Sequence, residues 1–160
     1  MVLLLACTGT EPTPTPTEST PVEIDPRIEL DDAWVSALEG RWSGSIDPTP
    51  IGEIPQFPMN FEWQDDGSLF THSQQGDFYV DFRFRKDAEA RWVLDEEAQI
   101  DVDNVQGYTL APIAQDDDAV TFSVIEAEGY LLVDWRPEAD TLVVEVTLGG
   151  EQHVVFDMAR

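Results

Sequence analysis

From residue 40 to the end of the chain, apolar side chains return at every second position in short runs, and turn-forming residues separate the runs. Phe78, Val80, Phe82 and Phe84 alternate with Tyr79, Asp81, Arg83 and Arg85, the pattern of an antiparallel strand with one face in a core and one in water. Met59, Phe61 and Trp63 repeat it, as do Val120, Phe122 and Val124, then Leu131, Val133 and Trp135. Leu142 to Leu148 and Val154 to Met158 continue it to the end. Between the runs stand Asp65-Asp66-Gly67, Gln75-Gly76-Asp77, Lys86-Asp87-Ala88, Asp116-Asp117-Asp118, Pro137-Glu138-Ala139-Asp140 and Gly149-Gly150, each suited to a hairpin. The pattern predicts an all-β domain, an antiparallel up-and-down meander of about 8–10 strands. Closing into a barrel is the simplest way for it to leave no edge strand, and a sandwich is the other architecture the pattern allows. The weakest segments are 91–99, interrupted by Asp95-Glu96-Glu97, and 106–113, which contains Pro112.

Ahead of the strands the period is four. Leu30, Trp34 and Leu38 share a face, Asp31 and Asp32 suit a helix start, and Gly40 suits its end, which predicts a short helix packed on the domain through Trp34. Residues 8–25 read TGTEPTPTPTESTPVEID and have almost nothing to bury. Alternating Thr and Pro favours polyproline II, a tether able to hold the domain on the order of 50 Å from its point of attachment at about 3.1 Å per residue. The expected organisation is a leader remnant over 1–6, an anchor and linker over 7–27, and a barrel domain over 28–160. One connection stands out: residues 47–57 are proline-stiffened and carry Ile51, Ile54 and Phe57, which are expected to cover one barrel end.

Charge narrows the partners. With 33 acidic residues against eight basic ones, the formal charge is −25, a surface that repels phosphate backbones and makes nucleic acid an unsuitable partner. The acidity suits either solubility in salt or capture of a basic protein. The single cysteine, Cys7, leaves no internal disulfide to form.

Leu4-Leu5-Ala6-Cys7 resembles the lipobox of bacterial lipoproteins. That resemblance implies a signal peptide cleaved before Cys7, fatty acylation (palmitate) of that cysteine, and attachment to a membrane of the bacterial cell envelope. Thr8, standing where many inner-membrane lipoproteins have aspartate, implies the outer membrane. The leader before Cys7 is shorter than the ordinary signal-peptide pattern.

Gly40-Arg41-Trp42, directly after a short helix and opening the first strand of a meander, resembles the G-x-W signature of lipocalins and their calycin relatives. The resemblance implies that a late arginine, here Arg160, packs over Trp42 and closes the barrel base together with Gly40. It also implies a small hydrophobic ligand. Ile51, Ile54 and Phe57 would then act as lid, and Phe70, His72 and Phe82 would stand in the wall. His72 shares strand parity with Phe70, which is expected to turn it inward. The crowd of aromatics at inward positions leaves room for a small apolar pocket at most. Gly40-Arg41-Trp42-Ser43-Gly44 with a late histidine, His153, is also similar to nitrobindins, ten-stranded calycin barrels that hold haem. Parity with Val154, Phe156 and Met158 turns His153 outward unless a bulge shifts the register.

The remaining chemistry is sparse. Asp101-Val102-Asp103-Asn104 lacks the third ligand and the glycine of an EF-hand loop, and Asp116-Asp117-Asp118 reads as a hairpin tip, so no metal is expected. No nucleophile-base arrangement is recognisable, and neither enzyme activity nor a cofactor is expected. The other role compatible with these features is that of an interaction or inhibitor lipoprotein with a filled barrel, holding a basic partner such as a lysozyme.

Overall fold

The computed structural model describes residues 27–48, 52–101, 104–124 and 131–160. Cys7, the Thr/Pro tract and Ile51 lie outside them. Among the described residues, ten strands follow one short helix: α1 (Asp32–Ser36), β1 (Gly40–Pro48), β2 (Ile54–Trp63), β3 (Leu69–Gln75), β4 (Phe78–Lys86), β5 (Trp92–Asp101), β6 (Asn104–Asp116), β7 (Ala119–Ser123), β8 (Leu131–Pro137), β9 (Thr141–Leu148) and β10 (Glu151–Ala159). Each strand pairs antiparallel with its sequence neighbours, and β10 returns to pair with β1, giving a closed up-and-down barrel and not a sandwich. Closure leaves no strand as a free edge, although the β2–β3 seam pairs only at Glu62–Phe70 and Trp63–Leu69.

The period-two pattern becomes burial directly. Phe78, Val80, Phe82 and Phe84 of β4 face the interior, as do Leu142, Val144 and Val146 of β9. The acidic run that weakens 91–99 in the sequence is divided by the pleat between two faces. Asp95 points outward and accepts hydrogen bonds from Arg85 Nε at 2.5 Å and Thr109 Oγ1 at 2.6 Å, and Glu97 accepts one from the Tyr79 hydroxyl at 2.7 Å. Glu96 alone of the three turns inward. Pro112 is accommodated by a register shift between it and Ala114 in the β6–β7 pairing.

The odd-numbered connections and the even-numbered ones lie at opposite ends, and α1 occupies the end where β1 starts and β10 finishes. Asp31 caps the helix by accepting from the Ala33 amide at 2.8 Å. Trp34 enters the barrel base, its ring 6.1 Å from Phe84 and 6.0 Å from Phe122, with its Nε1 donating to the Asp118 carbonyl at 2.7 Å. Above it, Phe84 and Phe82 each meet Trp135 edge-to-face at 5.0 Å, filling the middle of the barrel. On the β1–β10 seam, a Cβ built on Gly44 would stand 1.9 Å from the Asp157 carbonyl oxygen, so only glycine lets the two strands approach.

The structure corrects two expectations here. The connection 47–57 is not one long cover: β1 extends to Pro48 and β2 begins at Ile54, because Ile46 pairs with Ile54 across the two strands. Phe57 is therefore a fully buried wall residue. Trp63, though in parity with Phe61, lies past the core at the base, 38% exposed, where its Nε1 donates to Glu39 at 3.2 Å.

Candidate functional site

Opposite the helix the aromatic filling gives out. A cavity of about 40 Å³ lies among the ends of β4, β5, β6, β8, β9 and β10. One water needs about 10–15 Å³, so the space holds roughly three water-sized groups. Most of its wall is apolar, with Phe78 and Val80 from β4, Leu131 from β8, Leu148 from β9 and Phe156 from β10. Three titratable side chains reach it: Glu96 from β5, Tyr108 from β6 and His153 from β10.

Glu96 dominates the site. Its side chain is buried with 8% of the residue exposed, cross-strand partners Phe82 and Tyr108 flank it, and its Oε2 has no hydrogen-bond partner. Burial without compensation disfavours the charged form and pushes the carboxyl up to about 7. A carboxyl left unpaired in an apolar wall is costly, which marks the position as something other than packing. The strand pattern could have revealed it. Once 92–98 is read as a strand, Trp92, Leu94, Glu96 and Ala98 share the inward face, and a lone acid stands among them.

His153 arrives there through a bulge. Gln152 pairs with Thr147 and Val154 with Val146, so His153 is the extra residue, and it turns half-buried into the cavity wall instead of outward. The parity expectation is thus corrected by the register shift that was its stated exception.

The other anticipated binding residues are placed elsewhere. Ile54 is half-buried at the start of β2, Phe57 and Phe82 belong to the packed interior, and none of them lines the cavity. Phe70 and His72 face outward, because Leu69, Thr71 and Ser73 take the inward positions of β3. Phe70 lies under the Arg83 guanidinium at 4.6 Å, and exposed His72 contacts Asp81 at 2.5 Å through Nδ1. The base residues do come together. Gly40 holds φ +114°, Trp42 is buried, and the Arg160 guanidinium sits 4.1 Å over the indole ring.

A haem is tested by the same geometry. The strand count and His153 suit one, but a porphyrin is many times larger than the cavity, and two of the cavity's wall residues, Phe78 and Phe156, are held edge-to-face by the ring of Phe57. The residues present do not fit that group.

Comparison with family models, with curated proteins and with solved structures finds no match to this chain. The class therefore rests on architecture: a closed ten-stranded antiparallel barrel with a helix at its base, consistent with a calycin-like fold.

Proposed function

We propose that this chain is a lipid-anchored protein of the bacterial envelope whose barrel binds a small, largely apolar molecule carrying one polar group, without catalysing its conversion. The observation that carries the reading is the cavity itself. Among the described residues, a barrel interior filled largely by aromatic side chains leaves an apolar space at one end, and into it reaches a buried carboxyl with an unused oxygen. The lipobox-like Leu4-Leu5-Ala6-Cys7 and the Thr/Pro tract support the anchor, and Thr8 supports the outer membrane.

The binding reading is tested by native mass spectrometry of protein purified without denaturant. Wild type is expected to retain a small adduct, and Ala98→Phe, which puts a ring into the cavity, is expected to lose it. Wild type free of any adduct, and indifferent to a panel of small apolar compounds, overturns the reading. Hemin belongs in the same panel as a compound too large for the cavity, and a Soret shift lost in His153→Ala would replace this reading with a haem protein. The anchor has its own measurement. A fatty-acid alkyne fed to the producing cells is expected to label the protein at Cys7, and absence of label there removes the anchor.

The charge of −25 supports a second reading, in which the outer surface captures a basic protein. Such association weakens steeply with added salt, whereas occupancy of the cavity by a neutral molecule does not.

A further inference from the structure

Resting on that binding reading, we infer that the polar group of the bound molecule is a cationic nitrogen, an ammonium head seated against Glu96 among the rings of Phe78, Tyr108 and Phe156. The two components are independent of each other. Glu96 supplies an unpaired acceptor oxygen deep in the wall, and a desolvated carboxylate is best matched by an opposite charge that also donates a hydrogen bond. The three aromatic side chains line the same small space, and aromatic rings attract cations, the more so where water is excluded.

Size and field agree with this choice. An ammonium group is about as large as a water molecule, and the cavity takes roughly three such groups. It can therefore accept the head and the first carbons of an alkylamine. The surrounding charge of −25 raises the local concentration of cations and opposes entry of a carboxylate, which would also meet Glu96 as a like charge. A carbonyl could bond to Glu96 only while Glu96 keeps its proton; a neutral hydroxyl can donate to the carboxylate, but it brings no opposite charge and gains nothing from the field. Of the other titratable groups facing Glu96, Tyr108 from β6 has its hydroxyl donating to Gln106 at 3.3 Å. His153 from β10, in its neutral form, adds a ring-nitrogen acceptor to the site. The lining contributed by β4, β8 and β9 is apolar.

The experiment compares n-butylammonium, n-butanol and n-butyrate by amide chemical-shift titration of the full domain in 0.5 M salt, which suppresses pairing with surface carboxylates. At pH 8.5 the ammonium is expected to bind at least tenfold more tightly than butanol, with the largest shifts at Glu96, Tyr108 and His153, and butyrate is expected not to bind. At pH 5.5 the preference for ammonium over butanol should shrink several-fold, since Glu96 then holds its proton. Glu96→Gln should lower ammonium affinity tenfold or more at pH 8.5, and an amide spectrum as dispersed as that of wild type certifies the variant's fold. Butanol or butyrate binding as tightly as ammonium in wild type overturns the cation inference and leaves the apolar-ligand reading standing. Binding of none of the three removes both, and an ammonium affinity equal in wild type and Glu96→Gln assigns the cation to the surface and not to the cavity.

Discussion

Replacement of Trp42 by alanine is expected to destabilise the domain by about 3–5 kcal/mol, the cost of deleting a buried aromatic and leaving its space unfilled. Trp42 is 2% exposed and joins three separate parts of the chain. Its Nε1 donates to the Leu38 carbonyl at 2.9 Å, tying β1 to the end of the helical segment. Its ring carries the Arg160 guanidinium at 4.1 Å, and that guanidinium in turn donates to the carbonyls of Ala37 at 2.5 Å and Glu39 at 3.2 Å. Loss of the indole thus opens a hole and frees the last residue of the chain from the segment that closes the base. Thermal unfolding should fall by on the order of 10 °C, given roughly 2–4 °C per kcal/mol for a domain near this size. Arg160→Met, which keeps much of the aliphatic stem, should cost only about 0.5–2 kcal/mol. An unchanged melting temperature in Trp42→Ala would remove this residue from the closure of the barrel.

The second large effect is a stability that rises as pH falls from about 8 to about 5. The folded protein holds the proton of Glu96 up to about pH 7, whereas the unfolded chain releases it near 4.5. Between those values the folded state binds more protons than the unfolded one, so the contribution is fully present below 4.5 and is lost as pH climbs through 7. At 1.36 kcal/mol per unit the span corresponds to about 3 kcal/mol. Other carboxyls act in the opposite direction and in another window. Asp32 is held low by its hydrogen bonds with Lys86 and Trp92, Asp66 by Ser68, and Asp87 by the Arg91 amide, so their contributions are lost only on acidification through and below the ordinary carboxylate range. Relief of the general repulsion at −25 also favours the folded state as pH falls. Urea unfolding at pH 5, 6, 7 and 8 on wild type and Glu96→Gln separates these, since the variant keeps the global repulsion and lacks only the buried carboxyl. The variant's curve should be flatter by about 2–3 kcal/mol over that range, part of the full span having been lost already at pH 5. Parallel curves for the two proteins would mean that Glu96 titrates as a solvated acid.

Much of the architecture was legible before any coordinates, for reasons that are local. Side chains on a strand alternate by covalent geometry, so Phe78 to Arg85 could be read as a half-buried strand without knowing its neighbours. Hairpin turns announce themselves through Gly, Asn, Asp and Pro, and a nearly continuous series of hairpins, with 47–57 as the expected exception, points to a meander. Leu30, Trp34 and Leu38 were legible as one buried face, and all three are buried, but the helix itself covers only Asp32–Ser36, so Leu30 and Leu38 flank it and it ends before Gly40, which opens β1. The base was legible through Gly40, Trp42 and Arg160, although they lie 120 residues apart at the extremes, because the resemblance carried by Gly40-Arg41-Trp42 links them.

The binding end was not legible in the same way. Phe70 and His72 share parity with each other, but parity alone does not say which face is inside, and Leu69, Thr71 and Ser73 took it. His153 reversed its side because one extra residue entered β10, and bulges leave no reliable mark in a sequence. Glu96 was hidden within Asp95-Glu96-Glu97, a run that looks like a solvated turn until the pleat sends its middle member inward. The seam between β2 and β3 shows the same dependence on context. Only Glu62 and Trp63 pair in register there, with Phe70 and Leu69, and the Asn60 amide donates instead to the Thr71 hydroxyl at 3.1 Å. Pro55 and Pro58 in β2 account for this sparse pairing, since neither offers an amide donor.

By itself, then, the sequence determined an antiparallel meander of about 8–10 strands, its helical prelude and its acidic exterior, because periodicity, turn chemistry and charge are properties of residues near one another; the pairing of Trp42 with Arg160 came only through the resemblance to calycins. Only the tertiary structure decided where the empty space lies and which groups look into it. Those depend on how strands from distant parts of the chain meet: whether Phe82, Phe84 and Trp135 fill the middle, where the bulge sets His153, and which face of β5 closes over Glu96.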